Sequence, residues 1–219
     1  MSYPEVDFLR PATNSPAPAK EIKTGSRVSI VDQQQWVSRA GKKLFEALKS
    51  FDIEVEGKTA LDVGSSTGGF TQVLLYEGAE KITSVDVGTD QLHSSLRNVA
   101  RISLLEQTDI RDISSRLKDS FDLVVVDVAF ISLSKIIKDI ESVARKEGDI
   151  ILLYKPQFEV GKQNISKNGV VKKEIDTQKT LGHFLKSLEK SSLYFVKCRK
   201  AYISGKKGNQ EIFVHLKKC

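Results

Sequence analysis

From Trp36 onward apolar residues recur at helical spacing: Val37, Ala40, Leu44, Phe45 and Leu48 predict an amphipathic helix through about residue 50. Beyond it, apolar runs alternate with helical patterns. Segments 59–63 (TALDV), 82–87 (ITSVDV), 102–107 (ISLLEQ), 122–130 (DLVVVDVAF) and 149–156 (DIILLYKP) predict strands. The last two are apolar enough to be buried on both faces. Helices are expected over 70–78, across DQLHSSLRN, at about 132–145 and over 174–190. Two more strands, 193–203 and 210–216, flank a GKKGN turn. This alternation predicts an α/β, Rossmann-like fold: a mostly parallel seven-stranded sheet, helices on both faces, and an antiparallel last strand. Residues 1–34 lack helical period and hold Pro4, Pro11, Pro16 and Pro18, so they read as a tail or linker with one short strand at Arg27–Val31. The folded domain is expected over 35–219.

Composition narrows the class. With 219 residues, 40% apolar and 28% charged, the chain suits one full domain with an appendage. Cys198 and Cys219 cannot form a disulfide framework, and no Cys/His cluster has zinc-ligand spacing, so no metal is expected. No apolar run approaches the roughly 18 residues of a membrane helix. Asp122 and Asp127 interrupt the most apolar stretch, and the N-terminus lacks a secretory pattern, so a reduced, cytoplasmic setting is expected. The net charge of +6 is unevenly spread: from Lys155 to Cys219 there are 15 Lys/Arg against 5 Asp/Glu, and the preceding residues are slightly acidic. A basic final third is a candidate surface for nucleic-acid phosphates.

The most informative segment joins the first sheet strand to a helix: Asp62, then Gly64, Ser65, Ser66, Thr67, Gly68, Gly69 and Phe70. A dinucleotide fingerprint fails because position 66 is Ser. A P-loop fails because Phe70 stands where Lys is required. An acidic strand end followed by G-x-x-x-G suits S-adenosylmethionine, whose amino-acid carboxylate meets the helix N-terminus. Asp86 with Val87 ends the second strand, where a carboxylate can accept from both ribose hydroxyls. Asp109 with Ile110 follows the third and is placed for the adenine amino group. A single Gly-rich turn or strand-end Asp is often only a turn or a cap, but three in order on successive strands point to a ligand.

Alkyl transfer from a sulfonium needs an aligned acceptor and, for a hydroxyl, removal of its proton. Lys155 follows an apolar strand into the site face and is a candidate base; Asp127, ending the neighbouring strand, could orient it. Lys43 and Glu211 are not distinguishable by spacing from a surface lysine and an edge-strand charge. His93, His183 and His215 share no spacing and read as surface or packing residues, and Trp36 as a buried residue at the start of its helix.

The blocks WVSRAGKKL, LDVGSSTGGFTQVLL, VDVGTDQL, VDVAFISL, LYKPQFEVGK, KNGVV and GNQEIFV resemble the TlyA (hemolysin A-like) family of ribosomal RNA 2′-O-methyltransferases, which carry an FtsJ-type catalytic domain. The likeness runs from about residue 35 to the C-terminus. It implies a methyltransferase fold, S-adenosylmethionine as donor, a cytidine ribose of ribosomal RNA as acceptor, and a Lys43-Asp127-Lys155-Glu211 tetrad. Asp109 stands where the family usually has Asn. Family members begin with an S4-type RNA-binding domain; only KEIKTGSRVSIVDQQQ could be a remnant of one here, so that domain is expected to be missing or truncated. Competing readings are a non-catalytic donor- or ribosome-binding module, disfavoured by the intact polar set, a membrane-active hemolysin, disfavoured by composition, and a small-molecule methyltransferase.

Overall fold

The computed structural model describes residues 35–173 and 175–219; the Pro-rich segment, with its expected strand and any S4-type remnant, lies outside the described residues. The chain opens with α1 (Arg39–Phe51), followed by β1 (Thr59–Val63), α2 (Gly69–Tyr76) and β2 (Lys81–Val85). Next come α3 (Ser94–Arg97), β3 (Ile102–Leu105), α4 (Ile110–Ile113), β4 (Phe121–Val126), α5 (Ile137–Val143) and β5 (Ala144–Tyr154). Then α6 (Pro156–Glu159), α7 (Thr177–Ser187), β6 (Leu193–Lys200) and β7 (Ile212–Lys218) complete it.

The seven strands lie in the order β3-β2-β1-β4-β5-β7-β6. Strands β1 to β5 pair in parallel, and β7 runs antiparallel to both β5 and β6. The order reverses between β1 and β4, the switch point at which such sheets bind ligands. Because alternate residues face opposite sides, each apolar run serves two cores. Leu61, Val124, Val126, Ile150, Leu152 and Val214 pack in one cluster with residues of α5 and α7. Ala60, Leu123, Val125, Ile151, Leu153 and Phe213 pack in the other with α1 and α2.

In α1, Leu44, Ala47, Leu48 and Phe51 form the buried stripe. Each large side chain there contributes roughly 2 kcal/mol by leaving water. The helix stops at Asp52, which takes the left-handed conformation (φ 54°) while Ile53 N–H donates to the Leu48 carbonyl.

Several boundaries differ from the sequence pattern for identifiable reasons. The helix expected across DQLHSSLRN shrinks to the single turn of α3. Backbone bonds from Gln107 N–H to Gly88 O, Thr108 N–H to Asp86 O and His93 N–H to Thr67 O hold the preceding segment as a loop. The fourth strand ends at Val126, so Asp127 to Phe130 leave the sheet. The helix expected from about 132 begins as a 3₁₀ turn at Leu133–Lys135 and becomes α5 only at Ile137. Trp36 is half-buried rather than buried, in an aromatic cluster with Phe45 and Tyr76 (5.4 and 5.7 Å).

At the amino edge of the sheet, Asp149 accepts from His215 Nε2 and Lys58 Nζ, both at 2.9 Å. Burial pushes its carboxyl up, but these hydrogen bonds and the Lys58 charge outweigh that and hold it at about 2. A carboxyl lowered on folding stabilises above its ordinary value of 3.8 and ceases to as pH falls through about 2. Denaturant unfolding followed from pH 6 to pH 2 should therefore lose roughly 2 kcal/mol to this group below about pH 4. Asp149→Asn should be less stable at neutral pH and show a flatter profile in that acid window.

Candidate active site

Asp62 is fully buried on the α1/α2 side of β1, and its Oδ2 accepts from Thr71 Oγ1 at 2.7 Å. Thr71 Oγ1 also lies 2.8 Å from Ser84 Oγ, so a buried polar chain ties α2 to β1 and β2. Two buried side-chain oxygens of the turn have no protein partner: Asp62 Oδ1 and Ser65 Oγ. Unpaired buried polar atoms are costly, and a ligand with polar groups at both positions would satisfy them. Burial, reinforced by the nearby Asp127 and Asp86 carboxylates, pushes Asp62 up to about 7 against the pull of Thr71.

Gly64 makes the approach possible. Its φ is +83°, and a Cβ there would lie 2.7 Å from the Asp127 carbonyl oxygen. Gly69 and Gly41 do the same where α2 meets α1: a Cβ on Gly69 would sit 2.9 Å from Gly41 N and overlap Ser38 Oγ. That contact brings α1, and with it Lys43, against the turn.

Asp86 accepts Ser66 N–H and Gly88 N–H, both at 2.7 Å, through separate oxygens. It thus clamps the Gly-rich turn to the loop after β2, and each oxygen keeps a second lone pair for a ribose hydroxyl. Val87 beside it is 71% exposed. Thr67 contributes its carbonyl to His93 N–H, and Gly68 caps α2 with φ +89°. Asp109 caps α4 and pairs bidentately with Arg111 (2.9 and 2.6 Å), which, through that hydrogen bond, holds its carboxyl low. An adenine amino group would have to share those oxygens. Two residues expected at the donor instead face the cores. Phe70 is 2% exposed and packs 6.2 Å from Phe213, and Ile110 is buried in the other cluster. Helical and turn geometry aims both inward, which a motif read in one dimension does not register.

Lys43, Asp127, Lys155 and Glu211, the four residues expected to act together, form two ion pairs at the carboxyl edge. Gly64 and Asp127 each occupy the position just past the paired residues Val63 and Val126. Tyr154 pairs with Ile212, so Lys155 and Glu211 sit across from each other one step further. Lys155 Nζ lies 2.6 Å from Asp127 Oδ1, a contact made without hydrogen-bond alignment. Lys43 Nζ donates to Glu211 Oε2 at 2.6 Å, with both side chains almost wholly buried.

The rim carries residues that sequence spacing did not single out. Glu159 accepts from Ser132 Oγ (2.6 Å) and Leu133 N–H (2.9 Å), locking the segment after Asp127 to the helix after Lys155, and burial pushes its carboxyl up. Its signal was a carboxylate in the short turn that follows an apolar strand. Phe130 is 93% exposed with φ +65° and stands 5.3 Å from Phe158. Asn209, buried, accepts from Val171 N–H (3.0 Å) and donates to Gly169 O (2.9 Å), pinning the short hairpin around Ile165 and Val171 to the segment entering β7. That hairpin and the adjoining turn expose Lys162, Lys167, Lys172, Lys206 and Lys207. The basic final third is nevertheless divided, because Lys217 and Lys218 lie at the opposite edge beside Asp149 and Asp119.

The profile of the FtsJ-like methyltransferase family matches residues 36–218. The chain is 46% identical over 182 residues to the 23S rRNA (cytidine-2′-O)-methyltransferase TlyA of Campylobacter jejuni, covering 82% of this chain and 70% of that one. It is 37% identical over 203 residues to the 16S/23S rRNA (cytidine-2′-O)-methyltransferase TlyA of Mycobacterium tuberculosis, covering 92% and 76%. The crystal structure of a Lactococcus lactis protein described as a candidate hemolysin superposes with a TM-score of 0.80 at 37% identity, covering 85% and 90%. Among the described residues no helix is long and apolar enough to cross a membrane. A Gly-rich turn at the switch point, two ion pairs at the carboxyl edge and a match over nearly the whole described domain lead to one conclusion: the chain belongs to the FtsJ-like, S-adenosylmethionine-dependent methyltransferase family, alongside the TlyA proteins.

Proposed function

We propose that the protein methylates the 2′-hydroxyl of a cytidine in ribosomal RNA, with Lys155 as general base. The observation that carries this reading is the pair of 2.6 Å ion pairs, Lys155–Asp127 and Lys43–Glu211, at the carboxyl edge of the sheet, with Lys155 and Glu211 just past the facing ends of β5 and β7. The activities of the TlyA relatives from Campylobacter jejuni and Mycobacterium tuberculosis point the same way.

S-adenosylmethionine supplies an electrophilic methyl group on a positively charged sulfur. Asp62 Oδ1 and Ser65 Oγ would receive its amino-acid end, Asp86 its ribose, and Val87 would cover its adenine. Three carboxylates, Asp62, Asp86 and Asp127, end adjacent strands, which suits a cationic ligand. Lys155, as the free amine, would take the proton of the 2′-hydroxyl on Nζ as the O–CH₃ bond forms and the methyl leaves the donor sulfur. Asp127 aims that amine and compensates the charge it gains. Glu211 holds Lys43, a fixed cation beside the oxygen on which negative charge develops. Phe130, exposed beside Asp127, offers a ring for the target base.

Tritium from labelled S-adenosylmethionine should appear in ribosomal RNA, in linkages that resist alkaline cleavage because the 2′-oxygen is blocked. Folded, donor-binding protein that transfers nothing to RNA or to ribosomal subunits would overturn the proposal. Lys155→Ala should abolish transfer and keep donor affinity; a lost affinity would reassign Lys155 to the donor site. Glu211→Ala should cost about 3–5 kcal/mol of stability by stranding a buried ammonium. The double variant Lys43→Met/Glu211→Leu should recover most of that stability but not transfer, separating folding from chemistry.

Donor affinity should tighten as pH rises through about 7, since Asp62 must ionise to receive an ammonium group. Calorimetric titration from pH 6 to pH 8 measures this, and Asp62→Asn should bind more weakly with a flat profile.

A further inference from the structure

Among the described residues, six large apolar side chains are exposed: Tyr76, Val87, Phe130, Tyr194, Val196 and Tyr202. Tyr76 belongs to the Trp36 cluster, and Tyr194 and Val196 lie on the outermost strand β6. The other three stand just past strand ends at the carboxyl edge, where the site is. Val87 adjoins Asp86 at the donor site, and Phe130 adjoins Asp127. Tyr202 has no part in either.

Its placement is nonetheless tied to the tetrad from two sides. Ala201, its chain neighbour, donates its N–H to the Glu211 carbonyl at 2.8 Å. Lys42, the neighbour of Lys43, holds its Nζ 5.7 Å from the Tyr202 ring centroid. Consecutive lysines of α1 therefore diverge: Lys43 turns inward to Glu211, and Lys42 is exposed and turns outward to the ring. A single exposed tyrosine needs no explanation. This one is 60% exposed, carries a cation at its ring and is followed four and five residues on by the exposed Lys206 and Lys207. It lies two strands from Lys155, about 10 Å across the sheet. A nucleotide adjoining the methylated one reaches that far.

We infer that Tyr202 and Lys42 form a stacking site for the base of a nucleotide flanking the methylated one, with the Lys42 ammonium at its phosphate. The inference rests on the RNA substrate proposed above. Every base has a π-face, so the site adds affinity and fixes the position of the strand without reading its sequence. The basic lip then acts with a defined aromatic anchor rather than as a diffuse field.

The test uses the full chain, ribosomal RNA as methyl acceptor, and a fluorescein-labelled 12-nucleotide oligocytidylate with its abasic counterpart as binding probes. Tyr202→Ala should raise KM for RNA about tenfold while kcat and donor affinity hold, the scale of one lost base–aromatic stack. Tyr202→Phe should stay within about twofold of wild type, because the ring and not the hydroxyl stacks. Wild type should prefer the oligocytidylate over the abasic strand by about tenfold more than Tyr202→Ala does. Lys42→Ala should lower the salt slope of binding by about one phosphate's worth. An unchanged KM in Tyr202→Ala, an equal loss in Tyr202→Phe, or an undiminished preference for bases in Tyr202→Ala would each overturn the stacking site alone. Wild type that neither binds nor methylates RNA would overturn the RNA reading itself.

Discussion

The antiparallel ladder between β5 and β7 fixes the position of everything that follows. It inserts the last strand of the chain between β5 and β6 and sets Glu211 opposite Lys155. Its register is locked by side chains on both faces. A slip of one residue would move Phe213 off the α1/α2 core and drive Ile212 and Val214 into it. That exchange would disrupt two packed layers at once, so the ladder has one acceptable alignment. Glu211 then meets Lys43, 168 residues away in the chain, only because Gly41 and Gly69 let α1 approach the turn closely.

Buried charge explains why these positions belong together. Lys43 and Glu211 are nearly inaccessible, and either alone would be an uncompensated ion in an apolar setting. Lys155 and Asp127 are paired in the same way but less deeply. Asp62 stands apart, since its hydrogen-bond partner is a hydroxyl and its second oxygen has none. A carboxyl left in that condition by the fold is suited to an arriving cation. The opposite edge shows the contrast: Asp149 is surrounded by Lys58, His215 and Lys217 and serves the fold.

Electrostatics on the larger scale follows the same division. The sequence concentrates positive charge after Lys155, yet folding sends that charge to two places. The hairpin around Ile165 and the turn at Lys206 and Lys207 gather at the site, held by Asn209, while Lys217 and Lys218 travel along β7 to the far edge. Charge counted along the chain overstates the part that faces a substrate.

The sequence by itself determined the sheet, its parallel core and the ends of the first two strands at Asp62 and Asp86, but it carried the fourth strand past Asp127. Apolar runs and glycine turns are local signals, and a strand end is where such a run stops. Tertiary structure alone decided that Lys43 pairs with Glu211 and that Glu159 ties two segments together. It also turned Phe70 and Ile110 into the cores and placed Tyr202 beside Lys42. Each of these is a matter of where a side chain points once helices and strands have packed. Direction at that scale is set by register and close approach between distant segments, which no spacing along the chain encodes.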